Sequence, residues 1–136
     1  MKLYVLDANA VMRYLSKGPG EEKVAALIQR AAKGEARLLI SVINWGEVLY
    51  SLARLAGLHK ATADLKALGA IVESVPADEA QAEMAATLKV RYKMGYADTY
   101  AAALALQTSA ALVTADPEFA KLGKQLKVLA LPRHCK

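Results

Sequence analysis

Leu3-Tyr4-Val5-Leu6-Asp7 opens the chain with four apolar residues that end on an acid. A short run without polar alternation suits a strand covered on both faces. Four more such runs follow: Leu38 to Ile43, Ala70 to Val75 with Glu73 inside it, Ala110 to Val113, and Val128 to Leu131. Between them, Ala80, Met84, Ala85, Leu88 and Tyr92 keep the spacing of a helix's apolar stripe, as do Ala97, Tyr100, Ala101, Leu104 and Ala105 after Gly95. Leu49, Leu52, Ala53 and Ala56 extend the pattern after the second run, with Gly57 as a stop signal. Strands alternating with helices imply an α/β fold with a mostly parallel central sheet.

The 136 residues fit a single domain, 1–136, and 55% hydrophobic composition fills a core without disulfides. The lone Cys135 has no partner in the chain, and neither a signal peptide's apolar core nor a run of bilayer-spanning length is present, so a reducing cytoplasm is the expected location. Eighteen Lys and Arg against thirteen Asp and Glu leave a charge of +5, which favours a polyanionic partner. If four acids gather in one pocket, nine remain against those eighteen bases, and an acidic centre acquires a basic rim.

Ligands of open parallel sheets bind beyond the carboxyl ends of the strands. Asp7 follows the first run directly, and Asp116 follows Leu112-Val113 after Thr114 and Ala115. Asp98 falls in the first turn after Gly95, and Glu47 about one turn into the helix after the second strand. Singly, each has a plain alternative. Asp7 and Asp98 could cap helices, and Asp116-Pro117 is a common helix opening. Glu47 shares a stripe with Ile43 and Tyr50, where a merely solvated carboxylate sits less comfortably. Together, the four can converge at one end of one sheet, where a divalent cation would stabilise their ionised forms. An oxygen-only set calls for Mg²⁺ or Mn²⁺ and not zinc, since His59 and His134 are isolated and His134-Cys135 reads as a solvated tail.

Val5-Leu6-Asp7-Ala8-Asn9, Ile40-Ser41-Val42-Ile43-Asn44-Trp45-Gly46-Glu47-Val48, Ala97-Asp98-Thr99-Tyr100-Ala101-Ala102-Ala103 and Val113-Thr114-Ala115-Asp116 resemble, in order and spacing, the motif set of PIN domains. The compact format most resembles the VapC-type toxins of toxin–antitoxin pairs. The resemblance implies a three-layer α/β/α sandwich with the first strand central, a carboxylate-held Mg²⁺ or Mn²⁺, and endonucleolytic cleavage of RNA. It maps Asp7, Glu47, Asp98 and Asp116 onto the acidic positions, and Asn9, Ser41 and Thr114 onto polar positions that hold carboxylates and water. It also implies a homodimer and an antitoxin that blocks the acidic pocket.

Arg13, Lys17, Lys89, Arg91 and Lys93 lie near the acidic motifs and are candidate RNA contacts, with a solvated helix surface as the alternative. Tyr92, Tyr96 and Tyr100 could stack on bases, although Tyr92 and Tyr100 fall on apolar stripes. The helix segment Leu49 to Leu55 could offer a groove to a partner, or simply pack in the core. Two rival functions stand beside the nuclease. A haloacid-dehalogenase-like phosphatase wants a second carboxylate two residues after the first aspartate, where this chain has Asn9. A PIN-like RNA- or protein-binding module without turnover is the non-enzymatic alternative.

Overall fold

A computed structural model describes residues 1–133. His134 and Cys135, read above as a solvated tail, lie outside them. Five parallel strands form the sheet: β1 (Lys2–Leu6), β2 (Ala36–Ser41), β3 (Val72–Val75), β4 (Ala111–Thr114) and β5 (Val128–Ala130). Their order is β3-β2-β1-β4-β5, which puts the opening stretch at the centre. The helices are α1 (Ala8–Leu15), α2 (Glu21–Ala32), α3 (Val42–Ala56), α4 (Leu58–Leu68), α5 (Glu79–Tyr92) and α6 (Tyr96–Thr108), with a 3-10 segment at Pro117–Gln125.

Alternation along the central strands feeds two cores. Tyr4, Leu6, Leu38, Ile40 and Val113 pack on one face with Val11, Val24, Val48 and Leu65, while Val5, Leu39 and Leu112 pack on the other with Ala85, Leu88, Leu104 and Phe119. Strands buried on both faces lose their polar alternation, which is why β1, β2 and β4 read as apolar runs. The edge strands behave differently. β3 exposes Glu73 and Ser74, β5 exposes Val128 and Ala130, and Glu73 pairs with Arg37 on the neighbouring strand at 2.8 Å. Coverage on both faces therefore holds for the three inner strands only.

The second strand ends earlier than its apolar run. Ser41 closes β2 and its hydroxyl accepts from the Ile43 amide, so Val42 and Ile43 enter the first turn of α3, both exposed. The cap overrides the β preference of two branched residues. The third strand begins at Val72 and not at Ala70, because α4 runs on to Leu68 and a turn follows. The α5 stripe also turns by one position: Ala80 is exposed, and Gln81 is buried with Ala85 and Leu88. Gln81 is tolerated there because its Oε1 accepts from the Ser41 hydroxyl at 2.6 Å and its Nε2 donates to the Pro76 carbonyl. The α6 helix is sequestered almost all round, burying Thr99 through Ala105 against the sheet and α5. Gly57 ends α3 as expected.

Candidate metal centre

The strand order reverses at β1, whose chain continues to β2 on one side while β4 is added on the other. That switch leaves a crevice between the carboxyl ends of β1 and β4. Asp7 stands at one lip and Asp116 at the other. Asp7 is only 3% exposed. Its Oδ1 caps α1, accepting from the Ala10 amide at 2.8 Å, and its Oδ2 accepts from the Thr114 hydroxyl. Thr114 Oγ1 in turn accepts from the Asp116 amide at 3.0 Å, so one side chain ties both lips together. Asp116 caps the 3-10 segment through the Glu118 amide at 2.9 Å, with Pro117 at its first position. The capping expectations for Asp7 and Asp116 hold, and they leave further lone pairs on each carboxylate.

Asp98 is not a cap. Gly95 takes that position and Asp98 lies three residues inside α6, half-buried. Its Oδ2 lies 3.2 Å from where a side chain at residue 95 would place its Cβ, so glycine there leaves the carboxylate room. Glu47 reaches the same region from α3. The stripe it was grouped with faces outward, since Ile43 is 38% and Tyr50 51% exposed. Its half-burial has another source, a 2.8 Å hydrogen bond donated by Asn44 Nδ2 to its Oε1.

Two residues overlooked in the sequence complete the cluster. Glu118 brings a carboxylate oxygen within 4.8 Å of those of Asp98 and Asp116. An acid in the first turn of a helix ordinarily signals only the helix dipole, which hid it. Asn44 is 1% exposed and donates both to Glu47 and to the Ala97 carbonyl at 3.0 Å. The spacing Asn44-x-x-Glu47, one helical turn, was the available signal.

Like charges and burial act on this cluster together. Burial pushes Asp7 from its ordinary 3.8 up to about 7, against the downward pull of the Thr114 and Ala10 hydrogen bonds and with Asp98 and Asp116 adding to the rise. Burial likewise raises Asp98 to about 6, aided by Asp116, Glu47 and Glu118. Among the described residues, the ion pairs do not reach Asp7, Glu47, Asp98 or Asp116, and the nearest, Lys121 to Glu118, spans 3.7 Å. An oxygen-only cluster whose one ion pair among the described residues is the exposed 3.7 Å contact of Lys121 with Glu118 fits a hard divalent ion.

The supporting positions divide. Thr114 donates its hydroxyl to Asp7. Ser41 is buried but donates to Gln81, bracing α5 instead of a carboxylate. Asn9 is exposed at the second position of α1. Of the basic candidates, Arg13 spends its guanidinium on the carbonyls of Pro19, Pro132 and Arg133, and Lys89 donates to the Met94 carbonyl at 2.8 Å. Lys17, Arg91 and Lys93 are exposed. Tyr100 is buried, Tyr92 half-buried and Tyr96 exposed, with the hydroxyls of Tyr96 and Tyr100 3.1 Å apart.

The PIN domain family model matches residues 4–125. The chain belongs to the PIN domain family. Among solved structures, this PIN domain is similar to a chain of VapBC2 from Rickettsia felis bound to a promoter DNA fragment, with a TM-score of 0.77, 19% identity, and 95% of this chain and 98% of that one covered. It is also similar to a chain of DNA-bound VapBC from Salmonella typhimurium (TM-score 0.75, 17% identity, 96% and 98% covered). A third similar structure is VapC20 of Mycobacterium tuberculosis, described as a sarcin–ricin loop cleaving toxin (TM-score 0.66, 19% identity, 88% and 95% covered). No curated protein matches the sequence. The PIN fold accounts for the central position of β1 in a parallel five-stranded sheet flanked by helices.

Proposed function

We propose that this PIN domain is a divalent-metal-dependent endoribonuclease, the toxin of a type II toxin–antitoxin pair. The observation that supports the reading is the grouping of carboxylate oxygens of Asp98, Asp116 and Glu118 within 4.8 Å of one another, with Asp98 and Asp116 near enough to raise Asp7 and Glu47 near enough to raise Asp98. Asp7 and Asp98 are the principal ligands of Mg²⁺ or Mn²⁺, with Glu47 and Asp116 completing the set. The bound ion supplies charge that stabilises the ionised carboxylates and activates water and phosphate oxygen toward hydrolysis. Thr114 orients Asp7, Gly95 leaves space for Asp98, and Glu47 steers the attacking water. Arg91, Lys93 and Lys17, exposed near the acidic segments, hold the RNA backbone. The description of VapC20 as a sarcin–ricin loop cleaving toxin supports the substrate class.

The partners follow the same reading. The similar VapBC structures support an antitoxin partner, and the place proposed for it is over the acidic pocket. A homodimer is the proposed assembly, and the exposed Val42, Ile43, Tyr50 and Leu55 on α3 leave apolar surface for a partner chain. Residues 1–136 act as one domain around one sheet. No helix among the described residues is long and apolar enough to cross a membrane, in keeping with the proposed cytoplasmic location.

The test is cleavage of total cellular RNA by the purified, antitoxin-free protein with Mg²⁺ or Mn²⁺, beside an EDTA control and Asp7→Asn. Discrete fragments that vanish in both controls are expected. Inactivity of the folded protein overturns the enzyme in favour of a PIN-like binding module.

A further inference from the structure

Asn44 carries an anomaly. Its Oδ1 is the one buried side-chain polar atom without a hydrogen-bond partner among the described residues. A buried acceptor with no donor destabilises a fold, and a small or apolar residue on α3 would avoid that cost. Turning the amide over does not help. Its Nδ2 faces two acceptors, Glu47 Oε1 at 2.8 Å and the Ala97 carbonyl at 3.0 Å, so the reverse orientation would set oxygen against oxygen twice. The orientation is fixed, and it leaves Oδ1 unmatched.

Both partners of the Nδ2 group belong to the acidic centre. Glu47 is itself one of its carboxylates, one helical turn away, and Ala97 immediately precedes Asp98. The amide thus joins α3 to the first turn of α6 at the two points where those helices contribute acids. Among the described residues no other hydrogen bond holds the Glu47 carboxylate, so without Asn44 its flexible side chain is free to swing into solvent.

We infer that Asn44 is a positioning residue: it holds the Glu47 carboxylate in the acidic centre and fixes it relative to Asp98, leaving Oδ1 as the acceptor for a donor of the loaded site. The inference rests on the metal-dependent reading above, and it concerns a residue that acts through Glu47. Partners that orient metal ligands in this way change affinity by about tenfold to a hundredfold when removed.

The test is a double-mutant cycle on Mn²⁺ affinity by isothermal titration calorimetry, using Asn44→Ala, Glu47→Ala and the pair, with Leu52→Ala as a core truncation on the same helix. Asn44→Ala is expected to weaken Mn²⁺ binding about tenfold or more, and the double variant to be no weaker than Glu47→Ala alone. Leu52→Ala lowers Tm and leaves the Mn²⁺ Kd unchanged. Asn44→Ser, which keeps a single donor, falls between wild type and Asn44→Ala and serves if the alanine variant does not fold. In RNA cleavage, kcat falls while KM is preserved. Additive losses, or Asn44 variants that bind Mn²⁺ like wild type, overturn the positioning role while the nuclease stands. Wild-type protein that neither binds Mn²⁺ nor cleaves RNA overturns the reading beneath it, and the inference with it.

Discussion

Thr114 and Asp7 lie 107 positions apart in the chain, yet the threonine hydroxyl donates directly to the Asp7 carboxylate across the junction of β1 and β4. The bond opposes the rise that burial imposes on Asp7. Thr114→Val, close in shape but without the hydroxyl, leaves the Asp116 amide and a buried Asp7 oxygen each short of a partner. The expected outcome is a loss of about 1–3 kcal/mol of stability, together with weaker Mn²⁺ binding at neutral pH. Thr114→Ser restores both. Chemical denaturation and calorimetric titration of the three proteins check this.

The contribution of Asp7 and Asp98 to the stability of the metal-free protein is expected to fall as pH rises. Asp7 and Asp98 have folded-state values of about 7 and about 6, above an ordinary 3.8, so the folded state holds more protons than the unfolded chain in between. Their contribution is fully present below about pH 4 and is lost as pH climbs through 6 and 7. In EDTA, Tm is expected to fall by several degrees between pH 5 and pH 8. Mn²⁺ reverses the trend, raising Tm more at pH 8 than at pH 5, because its ligands must first give up protons. Asp7→Asn raises Tm in EDTA at pH 8 and abolishes the Mn²⁺ response. Thermal melts across that range decide the point.

Glu118 belongs to the acidic centre by position. Its exposed pairing with Lys121 at 3.7 Å contributes little to stability. Glu118→Gln is therefore expected to leave Tm nearly unchanged while reducing Mn²⁺ affinity several-fold. A Tm loss with unaltered Mn²⁺ binding would assign Glu118 to helix capping alone.

The basic residues separate into two groups. Arg13→Ala removes hydrogen bonds to the Pro19, Pro132 and Arg133 carbonyls and is expected to cost about 1–3 kcal/mol. Charge reversal at Arg91 and Lys93, which are exposed, leaves stability within about 0.5 kcal/mol but flattens the salt dependence of RNA binding. Denaturation curves and binding at two or more salt concentrations distinguish them.

The parts of the fold legible in the sequence are those where a local pattern maps onto a buried face. The inner strands, α3, α5 and α6, and the placing of Asp7 and Asp116 after β1 and β4 all depend on apolar runs and their ends. What the sequence concealed depends on contacts between elements. Gln81 replaces Ala80 on the buried stripe because Ser41, forty residues away, supplies its hydrogen bond. Val42 and Ile43 read as strand because they are branched and apolar, and only the Ser41 cap sends them into α3. Asn44 looks like an ordinary helix residue until Ala97 and Glu47 are placed beside it. Glu118 is masked by its resemblance to a residue that merely complements a helix end.

The order in which the carboxylates are synthesised differs from the order in which they can act together. Asp7 precedes its Thr114 partner and the Asp116 lip by more than a hundred residues, and they meet only when β4 slots in beside β1. Through the roughly ten seconds of synthesis that separate them, the proposed nuclease is an unassembled set of parts. The central strand waits for its neighbour, and the acidic centre cannot assemble until that neighbour has emerged.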